Sequence, residues 1–233
     1  MPEPLRLPGV AILLPCFNEV GNVESAVAEA RAAAASTADD YEIVVVDDGS
    51  SDGTGVVAQG LAAADCRVRL LTHERNRGYG AALRTGIAAA RMPWLLLTDA
   101  DLQFDLMQLR QVTSLTGSYD LILGRRTPRR DPLYRRAYGH TWNWLVRRAL
   151  ELPVRDVDCA FKLVRTELLQ ALELRSTGAM ISPELVARSL ARGARLVEVD
   201  VAHRPRMSGE QSGASPRVIL RALSELRSLR VSH

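Results

Sequence analysis

Lysine is almost missing from this chain: Lys162 is the only one among 30 basic residues, and the others are arginine. Heavy use of arginine and alanine follows a GC-rich genome, and a net charge of +3 is too small to point to a nucleic-acid partner. Cysteine is scarce as well. Cys16, Cys66 and Cys159 show neither the spacing of a metal site nor that of a redox pair, so they read as reduced thiols of a cytoplasmic protein. No apolar run approaches the ~18–20 residues that a spanning helix needs. The first residues lack the basic-then-apolar layout of a secretory signal. These absences argue against an integral membrane span and against evident export. They leave a cytoplasmic location, with peripheral contact at the inner face of a membrane as an open option.

What is present is a chain of 233 residues, 47% hydrophobic and 24% charged, enough for one domain with a full core. Short apolar runs at Val10–Leu14, Tyr41–Val46, Val68–Thr72 and Trp94–Leu97 read as buried strands. Helical patterns separate them: one capped by Asn22 and running to about Ala35, one ending near Ala64, and one ending near Ala90. Strand–helix alternation predicts an α/β fold, a Rossmann-like and mostly parallel sheet with helices on both faces. Further on, Leu121–Gly124 reads as a strand, 125–136 as an arginine-rich loop, and Tyr138–Leu150 as a helix. Residues 155–164 mix acids with apolar residues. Pro183–Arg192 reads as a helix, Arg195–Val201 as a strand, Met207–Ser215 as a Gly/Ser-rich loop, and Arg217–Arg230 as a basic amphipathic helix. With no repeat and no clean linker, residues 1–233 are expected to form a single domain. Its halves are 1–103, binding nucleotide, and 104–233, binding acceptor.

In open sheets of this kind, ligands bind beyond the carboxyl ends of the strands. Three polar segments stand at such ends: Pro15-Cys16-Phe17-Asn18-Glu19, Asp47-Asp48-Gly49-Ser50 and Asp99-Ala100-Asp101-Leu102-Gln103. Asp99 and Asp101, two apart on an extended chain, project to one side, and Gln103 adds a third oxygen group. An all-oxygen set suits Mg²⁺ or Mn²⁺ carrying a diphosphate. The alternative is that one acid caps the next helix and the other is solvated. Asp48 could accept from a base N–H, or serve only the turn. The arginines between 125 and 136 could clamp phosphate or form a solvated surface. Asp156 and Asp158 could each act as general base or cap a turn. Asn76-Arg77-Gly78-Tyr79-Gly80 lacks the third glycine of a dinucleotide fingerprint and does not follow the first strand, which excludes an NAD site.

Taken in order, Leu14–Glu19, Ile43–Ser50, Asn76–Gly80 and Asp99–Gln103 resemble the family 2 glycosyltransferases of the GT-A fold. Within them they are most similar to polyprenyl-phosphate sugar transferases of the dolichol-phosphate mannose synthase type. The resemblance implies that Pro15, Phe17, Asn18, Glu19, Val46 and Asp48 bind the base and ribose of a UDP- or GDP-sugar. It implies that Asp99, Ala100, Asp101 and Gln103 hold the diphosphate, with Asp99, Asp101 and Gln103 on the metal. Arg126 and Arg135 would then meet phosphates and Arg206, before the Gly/Ser-rich loop, would bind substrate by helping to close the site; Asp101, Arg126 and Arg135 would be catalytic, and Asp158 would serve as the base if one is needed. Two departures stand out: phenylalanine rather than tyrosine at 17, and no lysine in the Gly/Ser-rich loop, where Gln211 intervenes. The implied reaction is metal-dependent, inverting transfer of a sugar to a polyprenyl phosphate. The alternatives are transfer to a soluble hydroxyl acceptor, a sugar nucleotidyltransferase, or an inactive nucleotide-binding module.

Overall fold

The computed structural model describes residues 5–127, 133–205 and Glu225, with side chains omitted for 133–140. The predicted alternation is realised. The chain runs β1 (Val10–Cys16), α1 (Val23–Thr37), β2 (Tyr41–Asp47), α2 (Thr54–Ala64), β3 (Val68–Thr72), α3 (Tyr79–Ala89) and β4 (Trp94–Leu97). After the short helical turns around α4 (Leu109–Val112) come β5 (Leu121–Arg126), α5 (Leu133–Leu150), β6 (Lys162–Arg165), α6 (Thr166–Gln170), α7 (Ile181–Ala191) and β7 (Leu196–Val201). Seven strands form one sheet in the order β3-β2-β1-β4-β6-β5-β7, to which both halves of the chain contribute.

Side-chain alternation along the strands divides the core into two layers. Val10, Ile12, Leu14, Ile43 and Val45 pack on one face against Val23, Ala26, Val27 and Ala30 of α1. Ala11, Leu13, Val44 and Val46 pack on the other face, with Leu83 and Ile87 of α3 and Ile181, Leu185 and Val186 of α7. A strand buried on both faces needs apolar residues at successive positions, which is why β1, β2 and β4 read as unbroken runs. The approach of α3 to β1 depends on Gly86: a Cβ there would lie 2.1 Å from Leu13 Cδ1.

The sheet is mostly parallel, as expected: β6 alone runs antiparallel, to both β4 and β5, and the remaining pairs are parallel. Other expectations are corrected. β5 extends through Arg126, and α5 begins at Leu133, so Arg135 and Arg136 belong to a helix rather than a loop. Asn22 makes no side-chain cap on α1; its amide donates to Glu19 Oε2 at 2.5 Å instead. Arg206, Gln211, the Met207–Ser215 loop and, Glu225 apart, the Arg217–Arg230 helix lie outside the described residues. Among the described residues, no helix is long and apolar enough to cross a membrane.

Candidate functional site

β1 has β2 on one side and β4 on the other, with parallel pairing to both. The chain winds outward through β2 and β3, then returns to place β4 against the free side of β1. The carboxyl edge of β1 is therefore the switch point where such sheets open a crevice. The three polar segments predicted from the sequence leave the sheet at this edge.

The loops after β1 and β2 are fastened to each other. Asn18 N donates to Ser50 Oγ at 2.9 Å and Ser51 N donates to Asn18 Oδ1 at 3.0 Å. Glu19 N donates to Thr54 Oγ1 at 2.8 Å and Val20 N to Asp52 Oδ2 at 3.0 Å. Burial of Asp52 works against ionisation, yet the hydrogen bonds from Thr54 and Val20 outweigh it and hold this carboxyl below its ordinary range. Asn18 takes the left-handed conformation at φ 56°, which asparagine tolerates better than most residues. These bonds leave Phe17 45% exposed on the rim, an aromatic face beside half-buried Pro15 and Glu19. Val46 does not line this surface: its side chain is wholly buried in the second core layer.

Asp48 is buried and internally engaged. Its Oδ1 meets His73 Nδ1 at 2.6 Å and accepts from Arg77 N at 2.9 Å, while Oδ2 accepts from Gly78 N at 2.8 Å. His73 Nε2 contacts Thr85 Oγ1 of α3 at 2.9 Å. One carboxylate thus ties the end of β2 to the β3–α3 connection. Gly49 next to it has φ +72°, and a Cβ would fall 2.5 Å from the Arg75 carbonyl carbon, so only glycine fits this crossing of two loops. Sequence reasoning missed His73. Its signal was its place, one residue beyond β3 on the same sheet edge as the three motifs.

The acidic pair follows β4 directly. Asp101 is 6% exposed, with Oδ1 accepting from Gln103 N at 3.1 Å, and Asp99 is half-buried with Oδ1 accepting from Tyr79 Oη at 3.0 Å. Burial, then the Asp99 charge, hold the Tyr79 phenol well above its ordinary pKa, so it remains a donor to Asp99. Ala100 between the two acids is buried. Leu102 adopts φ 61°, a strained value for a branched side chain, and it turns the chain from Asp101 to Gln103. Gln103 is fastened to the other half: Arg204 N donates to its carbonyl at 2.7 Å, and its Nε2 donates to the Arg204 carbonyl at 3.4 Å. Arg204 is in turn held by Glu29 at 3.3 Å and Asp105 at 3.1 Å.

Among the described residues, no group of three or more His, Cys, Asp or Glu side chains forms a ready-made metal cage. Mg²⁺ and Mn²⁺ carried by a phosphorylated substrate are commonly held by one or two carboxylates plus phosphate and water. Asp99 and Asp101, both hard oxygen donors, fit this donor set.

The acceptor-side residues behave differently from one another. Arg126 makes a bidentate pair with Asp156, Nε to Oδ2 at 2.7 Å and Nη2 to Oδ1 at 2.6 Å. Burial disfavours the Arg126 charge, but the Asp156 hydrogen bonds outweigh it and hold the guanidinium above its ordinary pKa. Asp156 is therefore committed to Arg126, and only Nη1 of Arg126 lies outside the pairing. Asp158 is half-buried, and its charge acts on Tyr79, Arg126 and Lys162. Arg125 pairs with Asp200 at 2.6 Å rather than facing the site. The Arg135 side chain lies outside the described residues.

Comparison with known proteins agrees with this geometry. The profile described as "Glycosyl transferase family 2" matches residues 11–172. The chain is 30% identical to an undecaprenyl-phosphate 4-deoxy-4-formamido-L-arabinose transferase of Pseudomonas paraeruginosa, over 94% of this chain and 63% of that protein. It is 30% identical to a dodecaprenyl-phosphate galacturonate synthase of Rhizobium johnstonii, over 95% of this chain and 68% of that protein. An uncharacterized glycosyltransferase of Mycobacterium bovis is 32% identical over 86% of this chain and 88% of its own length. Among solved structures, glucosyl-3-phosphoglycerate synthase from Mycobacterium tuberculosis in complex with Mn²⁺, UDP-glucose and phosphoglyceric acid superposes with a TM-score of 0.71. The identity is 21%, covering 94% of this chain and 80% of that one. The fold is therefore the GT-A fold. The chain belongs to glycosyl transferase family 2.

Proposed function

We propose that this chain transfers a sugar, with inversion, from a nucleoside diphosphate sugar to a polyprenyl phosphate. The carrying observation is the Asp99–Asp101 pair at the switch point of the sheet. Arg126 ends β5, which through β6 runs in the same direction as β4, so the other half of the chain brings a cationic group to the same edge of the sheet. The names of the Pseudomonas and Rhizobium relatives support the lipid-phosphate acceptor, and the Mn²⁺ and UDP-glucose in the mycobacterial complex support a divalent ion with a UDP- or GDP-sugar.

In this reading Pro15, Phe17, Asn18, Glu19 and Asp48 shape the base and ribose pocket. Phe17 offers its exposed face, and Asp48 acts chiefly by fixing the loop at Arg77 and Gly78. Asp99, Asp101 and Gln103 would hold Mg²⁺ or Mn²⁺, with Ala100 giving close backbone approach to the diphosphate. The bound ion supplies neutralisation of charge on the departing nucleoside diphosphate. Arg126, through Nη1, with Arg135 and Arg206, adds cationic stabilisation of phosphate oxygens. The acceptor phosphate oxygen forms the new bond to the anomeric carbon on the face opposite the bond that breaks. The electron pair of that broken bond leaves with the nucleoside diphosphate. A phosphate acceptor is already an anion at neutral pH and needs positioning rather than a base.

A hydroxyl acceptor would need a base. Asp158 is the better candidate than Asp156, which is held by Arg126. The test is incubation with Mn²⁺, polyprenyl phosphate and labelled UDP- and GDP-sugars, followed by extraction, for wild type and Asp158→Asn. Label in the organic phase, abolished by chelator and reduced less than about tenfold by Asp158→Asn, is the expected result. Lipid label absent while a soluble alcohol is glycosylated, with Asp158→Asn inactive, would overturn it.

A further inference from the structure

The only lysine is one of the most enclosed side chains in the molecule. Lys162 is 2% exposed, and its Nζ donates to the Cys159 carbonyl and to Ser182 Oγ at 3.2 Å. It opens β6, with its Cα opposite Leu97 of β4 and Leu123 of β5. Asp99 stands two residues beyond Leu97, so Lys162 and the acidic pair are neighbours across one strand junction. Burial lowers the pKa of this amine below its ordinary value, and the nearby carboxylates of Asp158, Asp156 and Asp99 only partly offset it. Burying an ammonium is costly unless it is paired, and this one serves no surface function. A chain that uses arginine for every other cation keeps lysine here.

The two acceptors sit on different elements. Cys159 ends the segment that carries Asp156 and Asp158, and Ser182 is in the first turn of α7. Neither contact involves the metal or the nucleotide, so the reaction as read so far leaves Lys162 without a role.

We propose that Lys162 is a positioning residue of the transfer reaction. It pins the Cys159 carbonyl to Ser182 of α7, so that Asp158 and the Arg126–Asp156 pair are held in fixed register with Asp99 and Asp101. The proposal rests on the transferase reading above. Its physical content is pre-organisation: misplacement of a reacting constellation by about 1 Å costs on the order of a hundredfold in rate.

The test compares wild type, Lys162→Met and Ser182→Ala. Methionine preserves the stem and removes the charge. Lys162→Met is expected to lower kcat for sugar transfer at least about tenfold, with the donor KM within about twofold and the folded state retained. Ser182→Ala, which keeps the ammonium and its bond to Cys159, should fall between the two. Because the chain has one lysine, selective ¹³C,¹⁵N-lysine labelling gives a single side-chain NMR signal, read without acceptor or turnover. Asp158→Asn should move that signal. A Lys162→Met enzyme with wild-type kcat, or one whose loss tracks only donor KM or unfolding, overturns the proposal, as does a lysine signal unmoved by Asp158→Asn. If wild type makes no lipid product, the transferase reading fails at that step. The kcat comparison then moves to donor hydrolysis, and the NMR result is unaffected.

Discussion

Replacing Asp48 with alanine removes three hydrogen bonds at one buried point, those from His73 Nδ1, Arg77 N and Gly78 N, at 2.6, 2.9 and 2.8 Å. A hydrogen bond to a charged group contributes about 1.5–3 kcal/mol, which would give roughly 4.5–9 kcal/mol if the three were independent. They are not, because they share one acceptor group and water can reach the Arg77 backbone once the loop loosens. An expected loss of about 3–5 kcal/mol follows, against a total stability of about 5–15 kcal/mol for a domain. Urea unfolding without ligand measures it. Calorimetric titration with UDP or GDP then shows whether the loosened 73–78 loop also weakens nucleotide binding, which is the expected companion effect. Asp48→Asn keeps an acceptor for Arg77 but presents an amide N–H to Gly78 N, so its loss should be intermediate. A loss below about 1 kcal/mol for Asp48→Ala, with an unchanged denaturant slope, would refute the view that this carboxylate organises the loop.

Gly86→Ala should cost about 1–3 kcal/mol despite the better helix propensity of alanine, because its Cβ would lie 2.1 Å from Leu13 Cδ1 in the core; thermal unfolding checks this. Asp120 accepts from Arg195 N at 3.0 Å and pairs with Arg165 at 2.9 Å and Arg195 at 3.2 Å. The Arg195 hydrogen bond, chief among the causes, holds its carboxyl well below the ordinary range. A depressed folded-state pKa gives stability that is present above the unfolded pKa of about 3.9 and is lost as pH falls through the folded value. Asp120→Asn should therefore cost about 1–3 kcal/mol at neutral pH. Denaturation series should show that difference narrowing as pH falls below about 4, where Asp120 of the unfolded chain begins to take up a proton while the folded carboxyl stays ionised, and closing only toward the depressed folded value.

Three of the first four strands, β1, β2 and β4, and the edge carrying the site were legible because these strands are buried on both faces and end in polar segments, and the half-exposed edge strand β3 was legible as a short apolar run between two helical patterns. That pattern survives in the sequence without any knowledge of partners. β6 was not legible, since its four residues begin with the buried Lys162 and continue to Arg165, so no apolar run announces it. The start of α5 was missed because Pro132 and the arginines at 135 and 136 read as loop chemistry, whereas proline just before the first helical turn is compatible with a helix. Asn22 looked like a cap by residue type, but its amide is drawn to Glu19, and sequence spacing does not decide between these partners. For the site, the Asp99–Gln103 cluster was readable locally. The engagement of Asp48 by His73 and of Asp156 by Arg126 was not, because these partners stand 25 and 30 residues apart and meet only through strand order. Val46, a residue near a strand end read as part of a pocket, has its side chain in the core, so only its backbone could meet a ligand.

The most direct test of the central claim is calorimetric binding of UDP and of GDP to wild type and to Asp101→Asn, each with Mn²⁺ and with chelator. The account predicts that Mn²⁺ strengthens binding of the preferred nucleotide at least about tenfold in wild type, and that Asp101→Asn removes most of this gain. Binding that is equally tight with chelator, or a metal gain untouched by Asp101→Asn, would contradict a divalent-ion and diphosphate site at the end of β4.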